Sequence, residues 1–186
     1  MEKVQTTIDD RTALWIKKQK IFFVATAPLN ADGHINCSPK GLDSFRILDA
    51  KTVAYQDLTG SGAETIAHLK ENGRIVIMFT AFEGPPNIVR LHGQGSVITP
   101  EQPEFESIAA QFPQKRGVRA YIKVHITRVA DSCGYSVPLY EFKSDRDVLD
   151  KWLDKKDDQY LNDYRRKNNT KSIDGLEALV NEPIQD

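Results

Sequence analysis

Two short runs in the first half of the chain combine cationic, hydroxyl and glycine residues in an order that could hold a phosphate group. Ser38-Pro39-Lys40-Gly41 closes a short predicted strand, and a lysine there can pair with an anion. Thr59-Gly60-Ser61-Gly62 lies between a predicted strand and a predicted helix, where free backbone amides and the helix dipole favour a negative charge. The candidate side chains are Lys40 and Arg46 as cations, and Thr59, Ser61 and Thr65 as hydroxyl donors.

The second run also has the pattern of a helix capping box. In that interpretation Ser61 accepts a hydrogen bond from a backbone amide of the first turn, and Glu64 reaches back to the start of the helix. Glu64 would repel a phosphate placed beside it, so a capping role for Glu64 weakens the phosphate-binding interpretation. The sequence leaves both open.

The elements that must position these runs are short strands joined by tight turns. A β-branched and aromatic run at 21–27 and the segment 34–38 predict a hairpin, because Asn30-Ala31-Asp32-Gly33 supplies turn residues between them. Further strands are predicted at 52–56, 74–79, 88–92, 95–98 and 120–129, with turns at 48–51, 83–86 and 92–95. Helices are predicted at 9–19, 62–72 and 102–112. Six or seven antiparallel strands predict a mainly β fold with peripheral helices that closes into a small barrel.

The chain changes character after Ala130. Residues 131–138 predict an irregular loop, and the segment 140–186 predicts a charged helical tail. Val148, Leu149, Trp152 and Leu153 fall at helical spacing behind Ser144, which is a candidate N-cap with Asp147 three residues on. The tail could pack on the barrel or on a second subunit. We expect a single domain over 1–186, with its core at about 10–130.

Composition narrows the partners. The chain has 186 residues and a formal net charge of −1, so a nucleic acid or a membrane surface is not an expected partner. Two cysteines and an acidic N-terminal segment without an apolar run predict a reducing, cytoplasmic location and no signal peptide. The four histidines show no metal-ligand spacing, so no metal site is expected.

Several ordered motifs resemble one known family. The motifs are FFVATA, SPKG, LTGSGAETIAHLKENGRIVIMF and EGPPNIVRLHGQG, followed by CGYSVP and KNNTKSIDGL in the last third. Together they resemble the pyridoxamine 5'-phosphate oxidase-like, FMN-binding split-barrel family over about residues 10 to 180, and most of all its stand-alone subgroup. The resemblance implies a split β-barrel homodimer with FMN at the subunit interface, held by residues of both chains.

The same resemblance implies a set of site residues. The second strand would run beside the flavin and end at Lys40, and the turn after the third strand would contact the ribityl chain and phosphate. The implied cofactor-binding residues are Asn36, Cys37, Ser38, Lys40, Leu58, Thr59, Ser61, Gly62, Thr65 and Arg90. The implied pocket wall on the open face of the ring comprises Cys133, Gly134, Tyr135 and Pro138. No residue is assigned as a general acid or base.

Two departures from the family pattern limit what the resemblance implies about activity. Authentic oxidases place an arginine-lysine pair where this chain has Glu64-Thr65, and they carry a tryptophan- and arginine-bearing tail that is not found at the end of this sequence. The expectation is therefore an FMN-dependent oxidoreductase with an unknown small-molecule substrate or electron donor, rather than a pyridoxamine phosphate oxidase. Two alternatives stay open: a non-catalytic flavin-binding or storage module, and a split barrel that binds haem or a deazaflavin, with His34 or His92 as an axial ligand.

Overall fold

In a computed structural model, which describes residues 4–179, the chain forms an eight-stranded sheet with five surrounding helices. The strands are β1 (Val4–Gln5), β2 (Phe22–Thr26), β3 (Asn36–Lys40), β4 (Phe45–Asp49), β5 (Thr52–Leu58), β6 (Arg74–Thr80), β7 (Ile88–Ile98) and β8 (Val118–Ser132). The helices are α1 (Asp10–Ile16), α2 (Glu64–Asn72), α3 (Phe105–Ala109), α4 (Val148–Asp154) and α5 (Asp158–Asn168). None of these helices has both the length and the apolar character that crossing a bilayer requires.

The sheet curls into a split barrel. Its strands follow the order β3-β2-β6-β7-β8-β5-β4 with every pair antiparallel, and β1 adds to β8. The end strands β3 and β4 are adjacent in the chain, and Phe45 of β4 meets Phe22 of β2 and Phe79 of β6 with ring centroids 5.2 and 5.0 Å apart. Within residues 4–179 no strand pairing joins β3 to β4. The predicted mainly β, split-barrel fold is confirmed.

The strand β5 is held on both of its faces. Val53 and Tyr55 belong to the main core inside the barrel, whereas Ala54 belongs to a second cluster with Ile108 of α3 and Phe112, which follows that helix. The helix α2 closes the main core with apolar residues of its buried side. Since side chains alternate across a strand, burial on both faces fixes the register and direction of β5. This strand leads directly into the predicted phosphate turn.

Two strand predictions were wrong. The segment before residue 48 was not predicted to be a strand, yet β4 forms there and pairs with β5. The predicted turn at 92–95 does not exist, because β7 continues through it as one strand with only a register shift between His92 and Gly93. An ideal Cβ at Gly93 would collide with the carbonyl oxygen of His125 and lie 2.9 Å from Val124 Cγ1. Gly93 therefore marks a close approach of two backbones within a strand rather than a turn.

The predicted helix caps were also wrong in detail. The N-cap of α2 is Ala63 instead of Ser61, and its amide donates to Glu64 Oε2 at 2.9 Å. Glu64 thus reaches back as predicted, but Ser61 lies outside the helix and exposed. The N-cap of α4 is Asp147 instead of Ser144, and it makes no side-chain capping bond. The predicted helix at 102–112 shortens to α3.

The helical tail packs on the barrel of its own chain. Leu153 of α4 and Leu161 of α5 are buried, and Gly117 before β8 lies directly against the Leu153 side chain. Arg116 donates to the carbonyl oxygen of Leu153 at 2.9 Å. Of the two arrangements that the sequence left open, the structure has the tail on the same subunit. The last seven residues of the predicted tail lie outside the described residues.

Replacing Gly93 by Ala should destabilise the fold by about 2 to 3 kcal/mol, because the new methyl group forces β7 and β8 apart. The measurement is the free energy of unfolding from urea titration of the full chain. Gly60→Ala is the matched control, since its nearest neighbour would be 3.8 Å away and its change should stay within about 0.5 kcal/mol. Equal stabilities of the two variants would contradict the role given to Gly93.

Candidate functional site

The strand β3 presents a row of polar side chains to one face. Asn36, Ser38 and Lys40 are each partly buried, whereas Cys37 and Pro39 are exposed on the opposite face. The alternation follows from the period of two along a strand. Pro39 is tolerated because β3 is an edge strand, which in the described part of the chain pairs with β2 alone. Cys37 therefore points away from the three other predicted site residues of this strand.

A hydrogen-bonded network ties this row to the start of α2. Ser38 Oγ donates to Asn36 Oδ1 at 2.9 Å, and the Asn36 amide nitrogen donates to Thr65 Oγ1 at 2.9 Å. The same amide nitrogen lies 3.2 Å from Thr26 Oγ1 on β2. The structure thus brings together three of the predicted cofactor residues, which lie up to 29 positions apart in the chain. Their orientations are fixed by the protein itself.

His68 lies at the buried end of this network. Its Nδ1 is hydrogen-bonded to Thr26 Oγ1 at 3.0 Å, and its side chain is fully buried. Burial lowers the pKa of His68 below its ordinary value, although the nearby charges of Asp174 and Glu64 act in the opposite direction. The neutral imidazole is therefore the form that the folded chain favours.

Lys40, the last residue of β3, contacts a buried ion pair. Its Nζ lies 3.5 Å from Asp57 Oδ1, while Arg119 Nε lies 2.7 Å from Asp57 Oδ2. The carboxyl group is 1% exposed and the Arg119 side chain 6% exposed, whereas Lys40 keeps 25% of its side-chain surface. Each carboxylate oxygen has its own cation, which is how a buried carboxylate is retained at a tolerable cost. Burial and the charge of Asp57 also raise the pKa of Tyr55 well above its ordinary value.

The predicted phosphate turn is covered by the C-terminal tail. The Thr59 amide and hydroxyl both donate to the Gly117 carbonyl oxygen at 2.8 Å, and the hydroxyl accepts from Arg165 Nε at 3.0 Å. The Gly60 carbonyl oxygen accepts from the side chain of Asn169 at 2.9 Å. Thr59 is buried and its polar groups are bonded within the chain, while Ser61 and Gly62 are exposed or nearly so and Leu58 is half-buried.

A large cavity of about 1640 Å³ opens beside Lys40. Its wall combines residues from α1, the end of β3, the loop before β7 and the segment that leads to α4. Aromatic side chains form part of the wall, among charged and small residues: Trp15, Phe82, Tyr140, Phe142 and Trp152. Phe82 and Tyr140 are also in ring contact at 5.4 Å, and the Tyr140 amide donates to the Phe82 carbonyl oxygen at 2.9 Å. A planar aromatic ligand would find apolar contact in this cavity next to a positive charge.

The remaining predicted residues lie elsewhere. Arg90 on β7 donates to Ser132 Oγ at 2.9 Å. An irregular segment after β8 contains Cys133, Gly134, Tyr135 and Pro138, and these residues do not line the cavity beside Lys40.

Arg46, the second candidate cation, is engaged by Asp43 through two bonds of 2.6 and 2.8 Å. The Arg46 guanidinium lowers the pKa of Asp43. Within residues 4–179 no group of acidic, histidine or cysteine side chains could hold a metal ion.

Three charged residues of this region were not predicted: Asp57, Arg119 and Arg165. A signal for Asp57 does exist, because an acidic residue inside the apolar strand sequence TVAYQDL must be paired if it is buried. Arg119 and Arg165 have no comparable signal, since 62 positions separate Arg119 from Asp57 and 106 separate Arg165 from Thr59.

The antiparallel split barrel, with its polar edge strand ending at a lysine beside the cavity, places this chain in the class of split-barrel proteins. The sequence model described as pyridoxamine 5'-phosphate oxidase matches residues 8–133. The chain belongs to the pyridoxamine 5'-phosphate oxidase family. The predicted family is thereby confirmed.

Individual relatives agree with this assignment. The chain is 38% identical over 190 residues to the pyridoxamine 5'-phosphate oxidase family protein ustO of Aspergillus flavus, covering 93% of this chain and 76% of that protein. Among solved structures it is similar to HupZ of Group A Streptococcus, with 28% identity, a TM-score of 0.52 and coverage of 66% of this chain and 91% of HupZ. A histidine-to-alanine variant of HupZ matches with 27% identity and a TM-score of 0.54, covering 67% and 99% of the two chains.

The depressed pKa of His68 predicts a loss of stability in mild acid. The unfolded chain binds a proton at His68 below about pH 6.5, whereas the folded chain resists protonation there, so the free energy of unfolding should decrease as the pH falls from about 6.5 until it reaches the folded pKa. Urea titrations at a series of pH values measure this slope. It should be smaller in His68→Asn and unchanged in His125→Asn, whose histidine is exposed. A slope that both variants share with the unmodified protein would exclude His68 as its source.

Proposed function

We propose that this protein is an FMN-binding flavoprotein of the oxidoreductase type, with a small-molecule substrate or electron donor. The observation that carries the proposal is the position of Lys40. This residue ends the polar row of β3, contacts the buried pair of Asp57 and Arg119, and lines the aromatic cavity. Family membership over residues 8–133 supports the same conclusion. The proposal treats residues 1–186 as one flavin-binding domain.

The residues present fit a flavin. A flavin ring is planar and apolar over most of its surface, and its pyrimidine edge accepts and donates hydrogen bonds. The cavity supplies Trp15, Phe82 and Trp152 for ring contact, and Lys40 supplies a donor with a charge. Asn36 and Ser38 lie outside the cavity wall and belong to the hydrogen-bonded row that ends at Lys40. Apolar walls with a few placed polar groups are typical of cofactor sites.

The protein's own contribution to the chemistry is electrostatic and positional. When bound, FMN supplies two-electron redox chemistry through N5 of its ring, and its reduced form carries a negative charge. Lys40 and Arg119 face the single carboxylate of Asp57, so this end of the barrel keeps a net positive charge that stabilises an anion. The network from Ser38 through Asn36 to Thr65 holds the polar groups in one orientation before a ligand arrives.

The wider assignments of the site are part of the proposal. We place FMN at the interface of a homodimer, with contributions from Cys37, Leu58, Ser61, Gly62 and Arg90 through backbone or partner-facing groups. The segment Cys133, Gly134, Tyr135 and Pro138 then forms the substrate wall across that interface, which is consistent with its position outside the cavity of its own chain. Tyr135 and Leu139 are 83% and 75% exposed, and a second subunit would cover them. The expected location is the cytoplasm.

The absorption spectrum of the purified protein, with the mass of any ligand released on denaturation, tests the cofactor. Paired near-ultraviolet and blue bands together with the mass of FMN are expected. A Soret band would establish the haem alternative instead, and a chain that takes up no added FMN would contradict the proposal.

Turnover separates an oxidoreductase from a flavin-storage module. We expect NADH or NADPH to reduce the bound FMN and an added acceptor to reoxidise it, in repeated cycles followed by absorbance at the blue flavin band. Stable FMN binding without reduction by either donor would favour storage.

Sedimentation of the same sample should show a dimer, and a monomer with full FMN occupancy would contradict the interface assignment.

Asn36→Leu should raise the Kd for FMN by about tenfold or more, because it removes the amide that orders Ser38 and Thr65. Fluorescence titration with FMN measures this change. Ser96→Val is the matched control, since it also replaces a polar strand residue by an apolar one but lies exposed on β7. The thermal midpoints of both flavin-free variants show whether folding is intact. An unchanged Kd in a folded Asn36→Leu variant would remove the β3 row from the site.

A further inference from the structure

Three cationic side chains lie around the end of β5 and the turn after it, and the carboxylate of Asp57 pairs with two of them. Lys40 and Arg119 contact the two oxygens of Asp57 at 3.5 and 2.7 Å. Arg165 contacts Thr59 Oγ1, two residues further along, at 3.0 Å. Arg165 belongs to α5, so the C-terminal tail delivers one of the three charges. The cluster has more positive than negative charge.

The excess charge is only partly compensated by the described part of the chain. Arg119 Nη1 is buried and has no hydrogen-bond partner among residues 4–179. Arg165 is half-buried and also donates to the Val118 carbonyl oxygen at 3.4 Å. Its pKa is lowered by burial and by the adjacent charge of Arg119, whereas the charge of Asp158, which pairs with Arg116, acts in the opposite direction. Like charges held together in a partly desolvated site are unfavourable, and a bound anion would relieve the repulsion.

We propose that Arg165, Arg119 and Lys40 form a binding site for a phosphate group. Arginine forks match the geometry of phosphate oxygens, and charge-assisted hydrogen bonds of this kind are the strong ones. Arg165 and Lys40, which each keep part of their surface exposed, provide the contacts, and the buried Arg119 provides charge behind them. The phosphate can come from FMN or from a phosphorylated substrate. Assigning it to FMN rests on the proposed function, whereas the phosphate site itself does not.

The proposed phosphate site supplies positive charge near the start of α2, where the helix itself has none. That helix begins with Glu64, whose carboxylate accepts from the Ala63 amide, and Thr65 follows it, so no basic side chain stands there. The Thr59 amide and hydroxyl are bonded to the Gly117 carbonyl oxygen and are not free for a ligand. Arg165 instead brings a positive charge into direct contact with this turn at Thr59. A tail residue would thus take the place of a basic pair at the helix.

The test compares Arg165→Gln with two matched variants of the full chain. Arg165→Lys keeps the charge, and Arg166→Gln removes a neighbouring charge that pairs with Asp163 on the surface at 3.2 Å. Inorganic phosphate is titrated by calorimetry into flavin-free and FMN-loaded protein, with chloride of equal ionic strength as the reference. The affinities for FMN and for riboflavin, which lacks the phosphate, are measured in parallel.

We expect Arg165→Gln to weaken phosphate binding by about tenfold to a hundredfold, with Arg166→Gln unchanged and Arg165→Lys intermediate. If the phosphate belongs to FMN, Arg165→Gln also lowers FMN affinity by that factor and leaves riboflavin affinity unchanged. If it belongs to a substrate, the FMN-to-riboflavin ratio stays constant and the loss appears in the FMN-loaded protein.

Equal phosphate binding by Arg165→Gln and Arg166→Gln, in both flavin states, would overturn the site. So would an absence of phosphate binding and of any preference for FMN over riboflavin in the unmodified chain. A chain that binds phosphate through Arg165 but takes up no flavin would overturn the proposed function and leave the phosphate site standing.

Discussion

The buried carboxylate of Asp57 is the constraint on which this end of the molecule depends. An unpaired carboxylate in a protein interior is prohibitively costly, and removing one partner of a buried pair typically costs about 3 to 5 kcal/mol. Asp57 is therefore kept only with Lys40 and Arg119 in place, and these residues come from β3 and β8 on either side of the barrel opening. The ion pairs hold the last residue of the edge strand close to β5, where no strand pairing among residues 4–179 does so.

The position of the C-terminal tail follows from the same region. The sharp exit of the chain from β5 leaves backbone groups at Thr59 and Gly60 that must be satisfied. Gly117 and Asn169 satisfy them, and Arg165 adds a bond to the Thr59 hydroxyl. The tail is thus part of the turn's hydrogen bonding, which explains why it packs on its own barrel. The turn at Thr59 and Gly60, which the sequence assigns to ligand contact, therefore has its polar groups bonded mainly within the chain.

The sequence predicted the elements that local rules determine. The runs at 21–27 and 34–38, with turn residues between them, predicted a hairpin, and β2 pairs with β3 there, because a β-branched run and a turn sequence are local signals. The sequence did not predict β4, whose residues make a strand only through pairing with β5, nor the continuity of β7 through Gly93. The contacts of the charged cluster could not be predicted for the same reason. They join residues 62 and 106 positions apart and depend on tertiary packing that no local pattern encodes.

The residues that hold the barrel together are not the residues that carry its positive charge. One fold can therefore bind an anionic ligand with cations placed on different elements. The barrel fixes backbone positions through apolar clusters and strand pairing, and neither requires a basic residue at the start of α2. Glu64 can therefore bond to the amide at the start of the helix, provided that positive charge is supplied from another element close enough to act. Arg165 meets this condition because α5 is already anchored by Leu161 and by the bonds to the Thr59 turn. A charge on a tail helix is easier to relocate than one within the barrel, since changing it disturbs no strand register and no buried core contact.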